Sequence, residues 1–120
     1  MNINKLEALA LSYLPMVQHR SKRHVSIVVH KNRPVSVGVN KTKTHPQAHT
    51  YQYRFDEVHS ELDAWLNVKD KSKNYKLVNF RFGHENKWRM ARPCSLCMPW
   101  CKQIFKEIYY TTHKGLIREV

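Results

Sequence analysis

Arg92-Pro93-Cys94-Ser95-Leu96-Cys97, read together with His59-Ser60-Glu61 upstream, is the stretch on which the reading of this chain turns. Zinc takes Cys thiolate and His nitrogen, and a site built for chemistry keeps three protein ligands and one open position. Cys94 and Cys97 have the spacing that sets two sulfurs on one metal at the start of a helix. His59 supplies a third ligand. Glu61 stands two residues from His59, close enough to face a bound water without ligating the metal. A carboxylate so placed can take a proton from that water and hand it to a leaving group. A lone Cys-x-x-Cys is also compatible with a redox pair or half of a structural zinc site. No second Cys-x-x-Cys exists to complete the latter.

His59-x-Glu61 followed by Pro93-Cys94-x-x-Cys97 resembles the signature of the cytidine deaminase superfamily. The resemblance implies an α/β fold in three layers, α/β/α. A mixed five-stranded sheet carries helices on both faces. It implies one Zn2+ per chain, with a bound water or hydroxide, held by His59, Cys94 and Cys97. It gives Glu61 the catalytic proton transfers that convert cytosine to uracil. Gly38-Val39-Asn40 matches a family Gly-x-Asn whose Asn hydrogen-bonds the substrate sugar; an Asn holding a loop turn is the alternative. Ser60, next to the zinc-ligand His, is expected to help hold the base, with Cys94 in support.

The 120 residues make one domain, 1–120, and 42% hydrophobic content suffices for a core. Lys and Arg number 21 against 9 Asp and Glu, a formal charge of +12. That excess makes an anionic partner plausible, whether a polynucleotide or a free nucleotide. Three cysteines clustered between Cys94 and Cys101 argue against a disulfide framework and for metal binding in a reducing compartment. Cys101, one turn past Cys97, reads as a buried thiol. No apolar run approaches the ~20 residues of a membrane span, and no signal-peptide pattern opens the chain. The expectation is a cytoplasmic protein with no membrane partner.

Apolar residues from Ile3 to Val17 recur at helical spacing and predict a helix over 2–19, capped by Asn2 or Asn4 and kinked or ended by Pro15. A basic cluster from His19 to His24 reads as a solvated loop. Strands are expected over 25–30 and 35–39, with Lys31-Asn32-Arg33-Pro34 as the turn of a hairpin. Residues 41–58 form a long loop in which Lys41, Lys43 and Arg54 mix with Tyr51, Tyr53 and Phe55. Cations for phosphates and rings for bases suit single-stranded nucleic acid. A short strand packing two rings inward is the rival reading. A second helix should start near Asp56 or Glu57 and carry His59 in its first turn. A third strand spans 75–82, and the turn from Gly83 to Lys87 departs from family members whose third strand runs straight into Pro-Cys. A third helix should begin at Cys94, where the helix dipole and Arg92 favour the thiolate. Pro99 fits only in its first turn. Strands near 107–111 and 116–120 close the chain around His113-Lys114-Gly115.

No room exists between these last two strands for a helix, so they should form an antiparallel hairpin. The resemblance attaches a helix there to members acting on transfer-RNA adenosine or deoxycytidylate. It attaches the hairpin to free cytidine deaminases and toxin-type DNA deaminases. His59, where free cytidine deaminases usually have Cys, tilts the reading to the second group. The expected activity is therefore zinc-dependent deamination of cytosine in single-stranded polynucleotide, DNA favoured: a DNA-binding, nucleic-acid-editing enzyme. The alternatives are a free (deoxy)cytidine or deoxycytidylate deaminase, and a non-catalytic zinc-stabilised nucleic-acid-binding domain. Candidate substrate-binding residues are Asn40, Ser60, Tyr51, Tyr53, Tyr110 and His113.

Overall fold

Asn2 opens the first helix, α1 (Ile3–Tyr13), in a computed structural model that describes residues 1–17, 23–41 and 59–120. Its side-chain oxygen accepts a hydrogen bond from the Lys5 amide at 3.2 Å, satisfying one of the helix's orphan donors. The helix stops well short of residue 19. Pro15 cannot donate to a continuing α-helix, and Leu14–Met16 tighten into a 3-10 turn. Leu6 and Ala10 are buried.

β1 (His24–His30) and β2 (Arg33–Val39) form the expected hairpin, but its turn is shorter than anticipated. Lys31 and Asn32 take φ of 49° and 64°, the left-handed pair that suits a two-residue connection between twisted strands. Arg33 and Pro34 are thereby released into β2. Pro34 is tolerated because β2 is an edge strand and a bulge between Val28 and Val29 absorbs the irregularity.

The sheet has the order β2-β1-β3-β4-β5, with β3 at Tyr75–Arg81, β4 at Phe105–Thr112 and β5 at Gly115–Arg118. β3 and β4 are parallel and the other neighbours antiparallel, so the sheet is mixed. The last two strands do form an antiparallel hairpin, Tyr109 facing Arg118. α1 covers one face through Val25, Ile27, Val29, Val78, Phe80 and Phe82. α2 (Ser60–Leu66) and α3 (Cys97–Ile104) cover the other through Val28, Leu77 and Ile108. This is the three-layer α/β/α arrangement. Continuous burial along β1 follows from it: a strand covered on both faces has no polar side to show.

Both site-bearing helices begin later than the sequence suggests. His59 lies in extended conformation as the N-cap of α2, not in its first turn. Cys94 precedes α3, which starts at Cys97 after a turn at Ser95 and Leu96. Pro99 falls in the helix's first turn, where its missing N–H costs no hydrogen bond.

Gly38 sets the distance between β2 and α2. A Cβ built there would lie 2.2 Å from the Ala64 backbone nitrogen and 2.3 Å from the Ser60 carbonyl oxygen. The Ser36 hydroxyl donates to the Ala64 carbonyl beside it, and Asp63 accepts from the Val39 amide at 3.0 Å. Between β3 and α3 the chain makes a side excursion. Phe82 bridges to Trp88, and His84–Asn86 form a 3-10 turn. Arg23 donates to the Gly83 carbonyl and to Asn86 Oδ1, each at 2.8 Å. The Thr111 hydroxyl donates to the Arg89 carbonyl at 2.9 Å, which returns the excursion to β4.

Candidate metal centre and active site

β3 and β4 end at one edge of the sheet, where α2 and α3 both begin. An open α/β sheet leaves its crevice at such an edge. His59 enters as the residue before α2, and Cys94 and Cys97 as the turn into α3. Cys94 Sγ lies 3.6 Å, and Cys97 Sγ 3.4 Å, from His59 Nδ1. The three ligand atoms all lie within 4.8 Å of one another. Tetrahedral zinc, with bonds of about 2.1 Å to nitrogen and about 2.3 Å to sulfur, separates such ligands by about 3.6 Å. The donor set and its spacing therefore fit zinc. Among the described residues no other group of His, Cys, Asp and Glu converges in this way.

The Cys94 thiol is brought down to about 3. The main cause is its hydrogen bond with Cys97, aided by His59 and the Cys97 and Leu96 backbone amides. Those amides are the open end of α3, so the helix start does part of what the sequence suggested. Arg92 does not. Its guanidinium is engaged by Glu119 at 2.6 Å and 3.1 Å. Cys101 is fully buried, outside the ligand group, and burial pushes its thiol up.

Glu61 is 5% exposed, and that burial, opposed by hydrogen bonds and by His59, leaves its carboxyl above the ordinary range. The Ser60 hydroxyl donates to Glu61 Oε1 at 3.0 Å. Behind it, the Ser26 hydroxyl lies 2.8 Å from Ser60 Oγ and 2.6 Å from Asn79 Oδ1. Asn79 in turn donates to the Ala91 carbonyl at 3.3 Å. A buried polar chain thus runs from β1 and β3 to Glu61 and fixes its rotamer.

A cavity of about 240 Å³ opens at this point, lined by His24, Asn40, His59, Glu61, Arg81, Arg92 and Cys94. Asn40 Oδ1 accepts from the Ser60 amide at 2.8 Å, tying the end of β2 to the start of α2 while the residue still faces the cavity. Ser60 itself is turned inward and fully buried, its amide on Asn40 and its hydroxyl on Glu61. Any support it gives a base passes through Glu61, not through direct contact. Tyr110 does not line the cavity; its hydroxyl donates to Glu119 at 3.3 Å. His113 sits exposed in the β4–β5 turn and lines other surface hollows. Tyr51 and Tyr53 lie outside the described residues. Sequence reasoning missed His24 and Arg81 as cavity residues. They are cross-strand partners, a relation that strand register alone reveals.

No family model matches this sequence, and no curated protein matches it. Solved structures do resemble it. The dCMP deaminase of cyanophage S-TIM5 in its apo form superposes with a TM-score of 0.62 at 16% identity, over 88% of this chain and 79% of that one. The same enzyme in complex with dCMP and dUMP gives 0.64 at 17% identity, over 91% and 79%. The fold of this chain is thus like that of these dCMP deaminase structures.

Proposed function

We propose that the chain is a zinc-dependent hydrolytic deaminase that converts the cytosine of a nucleotide to uracil. One observation carries this reading: His59, Cys94 and Cys97 converge beside a buried, hydrogen-bonded Glu61 that faces the same cavity. A purely structural zinc site has no use for a free carboxylate there. When bound, zinc supplies Lewis acidity that makes water a usable nucleophile near neutral pH.

The chain's own residues do the rest. Glu61 takes a proton from the attacking water and delivers it to the ring nitrogen beside the reacting carbon. Oxygen adds to C4, the bond from C4 to the amino nitrogen breaks, and Glu61 passes the second water proton to the departing amine. Cytosine and water become uracil and ammonia. A carboxyl held above its ordinary range is suited to giving protons as well as taking them. The Ser60–Ser26–Asn79 chain keeps it aimed. Asn40 stands at the cavity wall, where its amide can bind the sugar.

The nucleotide substrate takes precedence over the polynucleotide because a solved structure of like fold is a dCMP deaminase in complex with dCMP and dUMP. Two observations favour polynucleotide as a second reading: the +12 charge and the antiparallel β4–β5 hairpin. The test is cytosine-to-uracil conversion with dCMP, deoxycytidine and a mixed-sequence single-stranded DNA run in parallel across a salt series. Conversion of dCMP supports the first reading. Conversion confined to the strand, with a steep fall as salt rises, supports the second. No conversion of any substrate by zinc-loaded protein rejects both.

A further inference from the structure

We infer that Arg81 is the anchor for a substrate phosphate. The assignment rests on the deaminase reading only for the identity of the attached base.

Arg81 is the last residue of β3. Its Cα partner across the sheet is His24, the first residue of β1. Both therefore project from one level of the sheet on one side, and both line the cavity that holds His59, Glu61 and Cys94. Arg81 is half-buried.

The other cations around the site are already engaged. Arg92 holds Glu119, and Arg23 donates to Gly83 and Asn86. Lys41 pairs with Asp63 at 2.9 Å. Among the described residues no carboxylate pairs with Arg81, although Glu61 lines the same cavity. Its backbone is nonetheless fixed, the amide donating to the Thr111 hydroxyl at 3.2 Å. A guanidinium that lines a cavity and pairs with no carboxylate among the described residues is a fork for an oxyanion, and phosphate matches it in two-point geometry.

Arg81 also lines a second hollow of about 530 Å³, together with Arg89, His84 and His113. It is the residue the two cavities share. A phosphate on Arg81 would thus lie between the catalytic cavity and a second basic hollow. The group is shared by a mononucleotide's 5′-phosphate and a strand's phosphodiester.

The experiment titrates zinc-loaded protein with dUMP, deoxyuridine, a thymidine-flanked deoxyuridine trinucleotide and inorganic phosphate, by calorimetry. Wild type, Arg81→Gln and Arg81→Lys are compared. Uridine ligands are products, so binding is read without turnover. A charge-assisted contact of this kind should make the phosphorylated ligand bind about ten- to a hundred-fold tighter than deoxyuridine. Arg81→Gln should erase that preference, leave deoxyuridine affinity unchanged and weaken inorganic phosphate. Arg81→Lys should keep part of it and guards against a glutamine variant that fails to fold. Loss with dUMP identifies a 5′-phosphate, and loss with the trinucleotide alone a phosphodiester; either supports the anchor. Equal weakening of phosphorylated and unphosphorylated ligands, or no weakening of either, overturns it. Phosphate bound through Arg81 with no uridine affinity would overturn the deaminase reading and uphold the anion site.

Discussion

Gly38 tolerates no side chain, because a Cβ would meet the Ala64 nitrogen at 2.2 Å. Backbone cannot yield as a flexible side chain does, so Gly38→Ala must push α2 off β2. Overpacking of this kind costs about 1–3 kcal/mol or more. His59 precedes that helix directly, so the variant should lower the thermal midpoint and lose zinc stoichiometry together. Metal analysis beside a melting curve checks this; full zinc content at wild-type stability would refute the packing argument. Glu61→Gln is the opposite case. It keeps the shape and the hydrogen-bonding partner but cannot carry the protons. Zinc should stay at one per chain while turnover falls about 10²–10⁴-fold. Normal turnover by that variant would remove Glu61 from the mechanism. Among residues, those the chemistry dictates were legible in advance. His59, Cys94, Cys97 and Glu61 are metal-ligating and proton-carrying types at set spacings. Arg81 and His24 are ordinary residues some 57 positions apart, and only strand pairing makes them neighbours.

Among elements, the helix starts explain where sequence reading slipped. The 3.6-residue pattern of Leu62, Trp65 and Leu66 locates α2 but not its first residue. Asn40 decides that by accepting from the Ser60 amide, which leaves His59 extended and outside. Extended geometry lets the imidazole turn toward the sulfurs. α3 shows the same displacement, with Cys94 in a turn whose carbonyl accepts from Met98 at 2.9 Å. Where α3 runs into β4, Phe105 is 1% exposed and meets Trp65 edge-on at 5.7 Å. Phe105→Ala should therefore cost about 3–5 kcal/mol. Urea unfolding checks this; a loss under about 1 kcal/mol would mean that the aromatic cluster is not the hub of this layer.

At the scale of the molecule, charge acts on stability, and so would a metal held by His59, Cys94 and Cys97. Glu107 is held below its ordinary range by its hydrogen bond with Lys76, then by Tyr109 and Arg118. Glu119 is held down chiefly by Arg92. A carboxylate with a lowered folded pKa stabilises above its unfolded value and loses that contribution as pH falls through the folded one. The contribution of these two carboxylates should hold near neutrality and decline below about pH 4.3, the ordinary Glu value. Urea midpoints at fixed ionic strength test it, and Glu107→Gln should flatten the acid limb. A zinc ion held by His59, Cys94 and Cys97 would link the starts of α2 and α3, so chelation should lower the thermal midpoint and readdition restore it. An unchanged midpoint in a chelated, metal-free sample would argue against a bound structural link.

By itself the sequence determined the five strands, the three helices, the hairpin that ends the chain and the grouping of His59, Cys94 and Cys97 with Glu61. These rest on local periodicity, turn chemistry and the narrow choice of residues that zinc and proton transfer allow. Tertiary structure decided the rest. It engaged Arg92 with Glu119, turned Ser60 inward, drew Tyr110 to Glu119 and left His113 outside the cavity lined by His59 and Glu61. It also set Arg81 in the lining of that cavity. The reason is physical. A side chain's partners depend on register and on which faces pack together, and neither is written in the spacing of a single segment.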